Sequence, residues 1–150
     1  MCPPELDRVY PLNELKEQVG LADIIALSLP GTDEAFHIFD GDILSSCKEG
    51  SYLMNVGRGT AIDTKELLKP EIYGRFKGIW LDVCETEPLP DKDPLFFVPN
   101  MLITPHITGG YHLAETTENI LNISMDNLRA WHDGGVFKHL VSRKDGYSLG

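Results

Sequence analysis

Apolar residues in this chain form short uninterrupted runs that alternate with amphipathic stretches. The run Ala22–Pro30 is almost continuously apolar and is bounded by turn residues, which predicts a strand buried on both faces of a sheet. Comparable runs predict three further strands, at Ser51–Val56, Gly78–Val83 and Met101–Thr104. The runs are too short to be membrane spans, which need roughly 18 apolar residues.

The stretches around these strands carry apolar residues at helical spacing. We predict helices at Pro11–Gly20, from Asp63 to about Pro70 and from about Tyr111 to Trp131, and a segment that is helical or partly so at Ala35–Cys47. Asp63 with Glu66 resembles a capping box, and two glycines at 134 and 135 stop the last helix. Strands that alternate with helices are typical of the α/β class, with a parallel sheet wrapped by helices.

Charge and cysteine content narrow the function classes. The chain has 150 residues with a formal net charge of −10, and its 13 basic residues are scattered among 23 acidic ones. A nucleic-acid or anionic-membrane surface needs clustered Lys and Arg, so neither partner is expected. Three widely spaced cysteines (Cys2, Cys47, Cys84) indicate reduced thiols and a cytoplasmic protein, and no C-x-x-C pair suggests a metal site.

Charged side chains follow three of the predicted strands. Arg58 lies between two glycines after the second strand, Glu87 follows the third and His106 follows the fourth. Taken singly, each has an ordinary structural explanation: a solvated turn, a loop surface or a hydrogen-bonded histidine. Because ligands bind beyond the carboxyl ends of strands in an open parallel sheet, the three together indicate a site.

Reduction of a 2-keto acid requires these three residue types. An arginine binds the substrate carboxylate through two parallel hydrogen bonds. A histidine protonates the oxygen that gains charge as hydride arrives, and a carboxylate on the far ring nitrogen favours the imidazolium. The hydride itself comes from a nicotinamide, because no side chain supplies one.

Three segments carry the resemblance to a known family. Asn55–Asp63 is similar to the N-x-x-R-G-x-x-x-D segment of the D-isomer-specific 2-hydroxyacid dehydrogenases, Leu81–Pro90 to their D-V-x-x-x-E-P-L-P segment, and Thr104–Gly110 to their T-P-H-I-x-G segment. The similarity extends from Asp7 to a V-x-R-K-x-G-Y tail at 141–147, which favours the glyoxylate/hydroxypyruvate branch. It implies the second half of a doubly wound (Rossmann) NAD-binding domain ending in a long helix.

The resemblance also implies roles for individual residues. Arg58 would orient the substrate, His106 would be the acid/base and Glu87 its partner, with NAD as the cofactor and NADP not excluded. The residues implied in cofactor binding are Pro30, Gly57, Arg58, Asp82, His106 and Gly109.

The chain departs from the family in what it lacks. It contains no G-x-G-x-x-G, and the acidic residue that selects NAD over NADP and the N-terminal substrate segment are absent. Residues 1–150 are therefore expected to be a partial dinucleotide-binding domain that is inactive alone, binds NAD weakly and forms a homodimer. Two alternatives remain open, a non-catalytic dinucleotide-sensing module like the family's corepressors, and a truncated dimerisation unit.

Overall fold

The computed structural model describes residues 6–109 and 113–142. Two compact units make up the chain, Met1–His106 and Ile107–Gly150. The predicted tail at 141–147 and Cys2 lie largely or wholly outside the described residues.

A parallel sheet of four strands forms the centre of the first unit. The strands are β1 (Ile24–Leu27), β2 (Tyr52–Asn55), β3 (Gly78–Leu81) and β4 (Met101–Ile103), hydrogen-bonded in the order β1-β2-β3-β4. Each strand lies within a predicted one. The predicted parallel α/β sheet is therefore confirmed.

Short helices connect the strands. The α-helices of this unit are α1 (Leu15–Val19), α2 (Gly41–Ser46), α3 (Thr64–Leu67) and α4 (Pro70–Tyr73). Four 3₁₀ turns accompany them, at Leu12–Glu14, Asp33–Ala35, Gly59–Ala61 and Pro94–Phe97. The helix predicted at Pro11–Gly20 is thus a 3₁₀ turn that continues into α1.

The prediction that the first strand is buried on both faces is wrong. Ile25 and Leu27 are buried, whereas Ile24 is 64% exposed. Burial alternates in the same sense along β2, where Leu53 is buried and Tyr52 is exposed. An apolar run shows only that a strand lacks polar residues, and in the first unit the short helices pack on one face of the sheet.

Ala35–Cys47, predicted to be helical or partly so, is helical only in part, because α2 begins at Gly41. His37 has a positive φ of 49°, which interrupts helical geometry, and Phe39 forms an isolated parallel bridge with Ile62. Asp40 then begins α2, since its side chain accepts hydrogen bonds from the backbone N–H groups of Asp42 and Ile43.

The predicted cap at Asp63 is confirmed, but its capping-box partner is not. The Asp63 carboxylate accepts from the backbone N–H groups of Lys65 and Glu66. The Asp63 N–H donates to the carbonyl of Phe39, and the Glu66 carboxylate accepts from Lys69. Only the half of the capping box that Asp63 contributes is therefore formed.

The second unit contains the long helix α5 (Ala114–Asp133). It ends at Gly134, whose left-handed conformation (φ 72°) confirms the predicted glycine stop. Tyr111, the predicted start, lies outside the described residues. None of the residues of α5 is buried, and Leu121 and Trp131 on its apolar stripe are 59% and 71% exposed. In the described part of the chain, no helix has the length and apolar content to cross a membrane.

Candidate functional site

The three predicted charged residues follow neighbouring strands at one edge of the sheet. Arg58 follows β2, Glu87 follows β3 and His106 follows β4. Because all four strands are parallel, their carboxyl ends share this edge. The placement predicted from the sequence is therefore present.

Glu87 and His106 form a hydrogen-bonded pair. Their Oε2 and Nδ1 atoms are 2.8 Å apart, and the side chains are 38% and 49% exposed. Burial alone would raise the pKa of Glu87, but hydrogen bonds from His106 and from the backbone of Cys84 outweigh it and hold this pKa below its ordinary value. The carboxylate is ionised at neutral pH and can only accept, so Nδ1 carries the shared proton.

The backbone fixes the direction of the His106 ring. His106 has a positive φ of 52°, and its N–H donates to the carbonyl of Asp82 at 2.9 Å. With Nδ1 held by Glu87, Nε2 is the nitrogen that can exchange a proton with a bound molecule. The pair therefore has the geometry of an oriented acid/base.

A cavity of about 440 Å³ lies beside this pair. Its lining includes Asp82, Glu87 and His106, the apolar side chains of Leu89 and Phe96, and Thr104. Asp82 is only 1% exposed. Its carboxylate accepts a hydrogen bond from the Thr104 hydroxyl, which in turn accepts from the indole N–H of Trp80 at 3.0 Å. An oriented, buried acceptor at the carboxyl edge of the sheet fits a carboxamide N–H₂ donor.

Arg58 lies on a loop whose conformation is set by its neighbours. The Asn55 side chain donates to the carbonyl of Arg58 at 2.9 Å and accepts from the N–H of Gly57 at 3.1 Å. A Cβ on Gly59 would lie 2.0 Å from the carbonyl carbon of Cys84, so only glycine fits there. The guanidinium is exposed, and its Nη1 donates to the carbonyl of Gly57.

The residues implied in cofactor binding fall into two groups. Pro30 and Gly57 belong to the first unit, at the carboxyl ends of β1 and β2. A Cβ on Gly57 would lie 2.5 Å from the backbone nitrogen of Leu29, so this glycine permits close packing between two loops. Gly109, with a positive φ of 75°, belongs to the second unit. The cofactor roles of these residues stay predictions.

Sequence reasoning missed a second histidine at this edge. His37 Nε2 lies 2.6 Å from Glu85 Oε1, and its Nδ1 lies 3.5 Å from Asp63 Oδ2. The spacing of Glu85 two residues before Glu87 was a usable signal, because both follow β3. His37 gives no such signal, since it lies inside a stretch that is predicted to be at least partly helical.

Atoms of His37, Asp63 and Glu85 lie within 4.8 Å of one another, a spacing that admits a metal ion. However, two ligands of a tetrahedral Zn²⁺ with bonds of about 2.0–2.1 Å would be about 3.3 Å apart. The 2.6 Å between His37 Nε2 and Glu85 Oε1 is a hydrogen-bond distance instead. The cluster therefore has the geometry of a hydrogen-bonded His37–Glu85 pair with the Asp63 carboxylate beside it.

The sequence profile of the D-isomer specific 2-hydroxyacid dehydrogenase NAD binding domain matches residues 4–108. The chain is 37% identical over 121 residues to a glyoxylate/hydroxypyruvate reductase B from Escherichia fergusonii, covering 81% of this chain and 37% of that protein. It is 33% identical over 134 residues to a glyoxylate reductase from Korarchaeum cryptofilum, covering 89% and 39%. The chain thus spans less than half the length of these relatives.

Solved structures of the same family have the same fold. A D-isomer specific 2-hydroxyacid dehydrogenase from Xanthobacter autotrophicus, in complex with NADPH and MES, superposes with a TM-score of 0.78 at 28% identity, covering 91% of this chain and 55% of that one. A family protein from Aeromonas salmonicida superposes with a TM-score of 0.76 at 37% identity, covering 88% and 41%. The chain belongs to the D-isomer specific 2-hydroxyacid dehydrogenase family, and residues 4–108 match its NAD-binding domain.

Proposed function

We propose that this chain carries the acid/base pair and the substrate-carboxylate anchor of an NAD(P)-dependent oxidoreductase that interconverts 2-keto acids and D-2-hydroxy acids. The observation that carries the proposal is the 2.8 Å contact between Glu87 Oε2 and His106 Nδ1 at the carboxyl edge of the sheet. The substrate class we favour is small 2-keto acids such as glyoxylate or hydroxypyruvate, which the names of its relatives include.

Each residue has a defined task in this proposal. The Arg58 guanidinium binds the substrate carboxylate, and His106 donates its Nε2 proton to the keto oxygen as the keto carbon gains a hydride. Glu87 stabilises the imidazolium before the transfer and holds the neutral ring in place after it. In the reverse direction, the neutral Nε2 accepts the hydroxyl proton.

The cofactor proposed is NAD or NADP, which supplies the hydride when bound. Asp82 would accept a hydrogen bond from the nicotinamide carboxamide, since its carboxylate is buried and oriented by Thr104 at the cavity beside His106. Pro30 and Gly57 would contribute backbone contacts. Together with the reduced thiols expected from the sequence, this activity suits a cytoplasmic enzyme.

We further propose that the 150-residue chain on its own self-associates, most simply as a dimer, and binds NADH weakly or not at all. Ile24 on β1 and Leu102 on β4 are 64% and 59% exposed, and apolar sheet surfaces of this kind are typical of interfaces. The sequence offers no glycine-rich turn to hold a pyrophosphate. A few hydrogen bonds of about 0.5–1.5 kcal/mol each do not offset the entropy of association.

Calorimetry with NADH and light scattering measure these two properties of the chain. We expect no heat of binding at micromolar ligand and the scattering mass of a dimer. Micromolar binding by a monodisperse monomer would contradict both expectations.

The acid/base assignment is tested in a chimera in which this chain replaces the matching segment of the E. fergusonii reductase. Glu87→Gln should move the alkaline limit of keto-acid reduction to lower pH, because a neutral amide favours the protonated ring less than a carboxylate does. The KM for the keto acid should change little. Kinetics across pH, with Asp133→Asn as the control at the exposed His132–Asp133 pair on α5, measure the effect. An unchanged pH profile would refute the role of Glu87.

A further inference from the structure

His37 connects the three loops that follow β1, β2 and β3. Its Nε2 lies 2.6 Å from Glu85 Oε1, and its Nδ1 lies 3.5 Å from Asp63 Oδ2. The three side chains are 29%, 26% and 23% exposed, so water screens these contacts less than at the open surface. The loops carry Pro30, Arg58 and Glu87, respectively.

Backbone contacts fix both ends of the His37–Glu85 pair. The His37 N–H donates to the carbonyl of Thr60 at 2.8 Å, and the ring stacks on Phe36 with centroids 4.0 Å apart. The second oxygen of Glu85 accepts from the N–H of Thr64 at 2.8 Å. Burial alone would raise the pKa of Glu85, but hydrogen bonds from Thr64 and His37 outweigh it and leave this pKa below its ordinary value.

Glu85 and Thr60, which His37 contacts, lie close in the chain to the proposed catalytic residues. Thr60 lies two residues after Arg58, and Glu85 lies two residues before Glu87. The two loops also meet directly, because the backbone of Gly59 packs on that of Cys84 and Glu85 without room for a Cβ. The Cys84 N–H in turn donates to Glu87 Oε1 at 2.9 Å.

We propose that His37 and Glu85 are positioning residues that hold the Arg58 loop and the Glu87 segment at the spacing the reaction needs. The inference rests on the proposed function for its catalytic consequence, but its structural content does not. His37 contacts Glu85, whereas Glu87 contacts His106, so we expect an effect of His37 on Glu87 to pass through the position of the Glu85–Glu87 segment.

Two backbone amides report on the ionisation of the two carboxylates in the full 150-residue chain. The Thr64 N–H contacts Glu85 and the Cys84 N–H contacts Glu87, so a pH titration followed by ¹H–¹⁵N NMR measures each carboxylate separately. His37→Asn keeps a residue that tolerates positive φ, while its side chain is too short to reach Glu85. We call the pH midpoint of the change in the Cys84 N–H signal the Cys84 transition, and that of the Thr64 N–H signal the Thr64 transition. In this variant we expect both transitions to move to higher pH.

Glu85→Gln tests the other end with almost no change of shape. Losing a negative charge near Glu87 would by itself move the Cys84 transition to lower pH, whereas a loosened segment moves it higher, which is the result we expect. His132→Ala removes a histidine–carboxylate pair of the same 2.6 Å length on exposed α5 and should leave the Cys84 transition unchanged. A Cys84 transition that stays in place in both His37→Asn and Glu85→Gln overturns the proposal.

The catalytic consequence is measured in the chimera. His37→Asn should lower kcat by about tenfold, because small displacements of catalytic groups have effects of this size or larger. If the Cys84 transition does not move in the variants while the unsubstituted chimera is active, the positioning role alone is disproved. If the Cys84 transition moves in the variants while the unsubstituted chimera is inactive, the proposed function is disproved. The structural link between the loops then still stands.

Discussion

His106→Ala should reduce keto-acid reduction by the chimera by about 10²–10⁴-fold, the usual contribution of a positioned acid/base. The structure leaves Nε2 of this ring available while Nδ1 contacts Glu87 at 2.8 Å. Without the ring, water must protonate the keto oxygen, because the Glu87 carboxylate is ionised and has no proton to donate. Most of the loss should therefore appear in kcat.

Steady-state kinetics of the variant measure this loss. His132→Ala is the matched control, because it removes an exposed histidine that also contacts a carboxylate, on the helix α5. The control should retain the activity of the unmodified chimera. A His106→Ala variant within a factor of about two of the unmodified chimera would rule out His106 as the acid/base.

Arg58→Lys should raise the KM for the keto acid by about ten- to a hundredfold. A guanidinium donates two parallel hydrogen bonds to a carboxylate, whereas an ammonium offers a single point of contact. One charged hydrogen bond contributes about 1.5–3 kcal/mol, and 1.4 kcal/mol corresponds to a factor of ten in affinity. The exposed position of Arg58 at the end of β2 leaves its side chain accessible to a substrate.

Kinetics of the variant separate binding from chemistry. Arg129→Lys serves as the control, because Arg129 is an exposed arginine on α5 that pairs with Asp126. It should leave both kcat and KM unchanged. A fall in kcat with an unchanged KM for Arg58→Lys would show that Arg58 does not anchor the substrate carboxylate.

The free energy of unfolding should decrease at acidic pH, because the ionised carboxylates of Glu85 and Glu87 stabilise the folded chain. The pKa values of Glu85 and Glu87 are both lowered in the folded chain, so their stabilising contribution is complete above the ordinary glutamate value near 4.5. It is lost as the pH falls through the folded-state values. Both side chains are partly exposed, so solvent screening keeps this contribution small.

The sequence predicted the strands, and the functional residues that follow them, better than it predicted the helices. Each strand lies in a compact, mostly apolar run, and a charged residue follows β2, β3 and β4 within a few positions. Both the parallel sheet and the edge that carries Arg58, Glu87 and His106 are therefore predictable. The region around His37 is not. Phe36 and Phe39 have helical spacing, but the positive φ of His37 and the bridge of Phe39 to Ile62 depend on the neighbouring loop.

Long-range partners account for the remaining differences. The carboxyl of Glu66 has the right spacing for a capping box, yet it accepts from Lys69 instead. The exposed face of β1 was hidden from sequence reasoning because an apolar run looks the same whether one face or both are covered. The contact between His37 and Glu85 joins residues 48 positions apart, a distance over which a single sequence carries no pairing information.

Turnover of a 2-keto acid by the chimera tests the central claim most directly, since this chain would supply the anchor and the acid/base pair while the relative supplies the remainder. The measurement is the oxidation of NADH or NADPH in the presence of glyoxylate or hydroxypyruvate. We predict turnover that requires the keto acid and disappears in the double variant Arg58→Lys/His106→Ala. A folded chimera that binds the dinucleotide without reducing either keto acid would contradict the enzymatic account and favour a dinucleotide-sensing module.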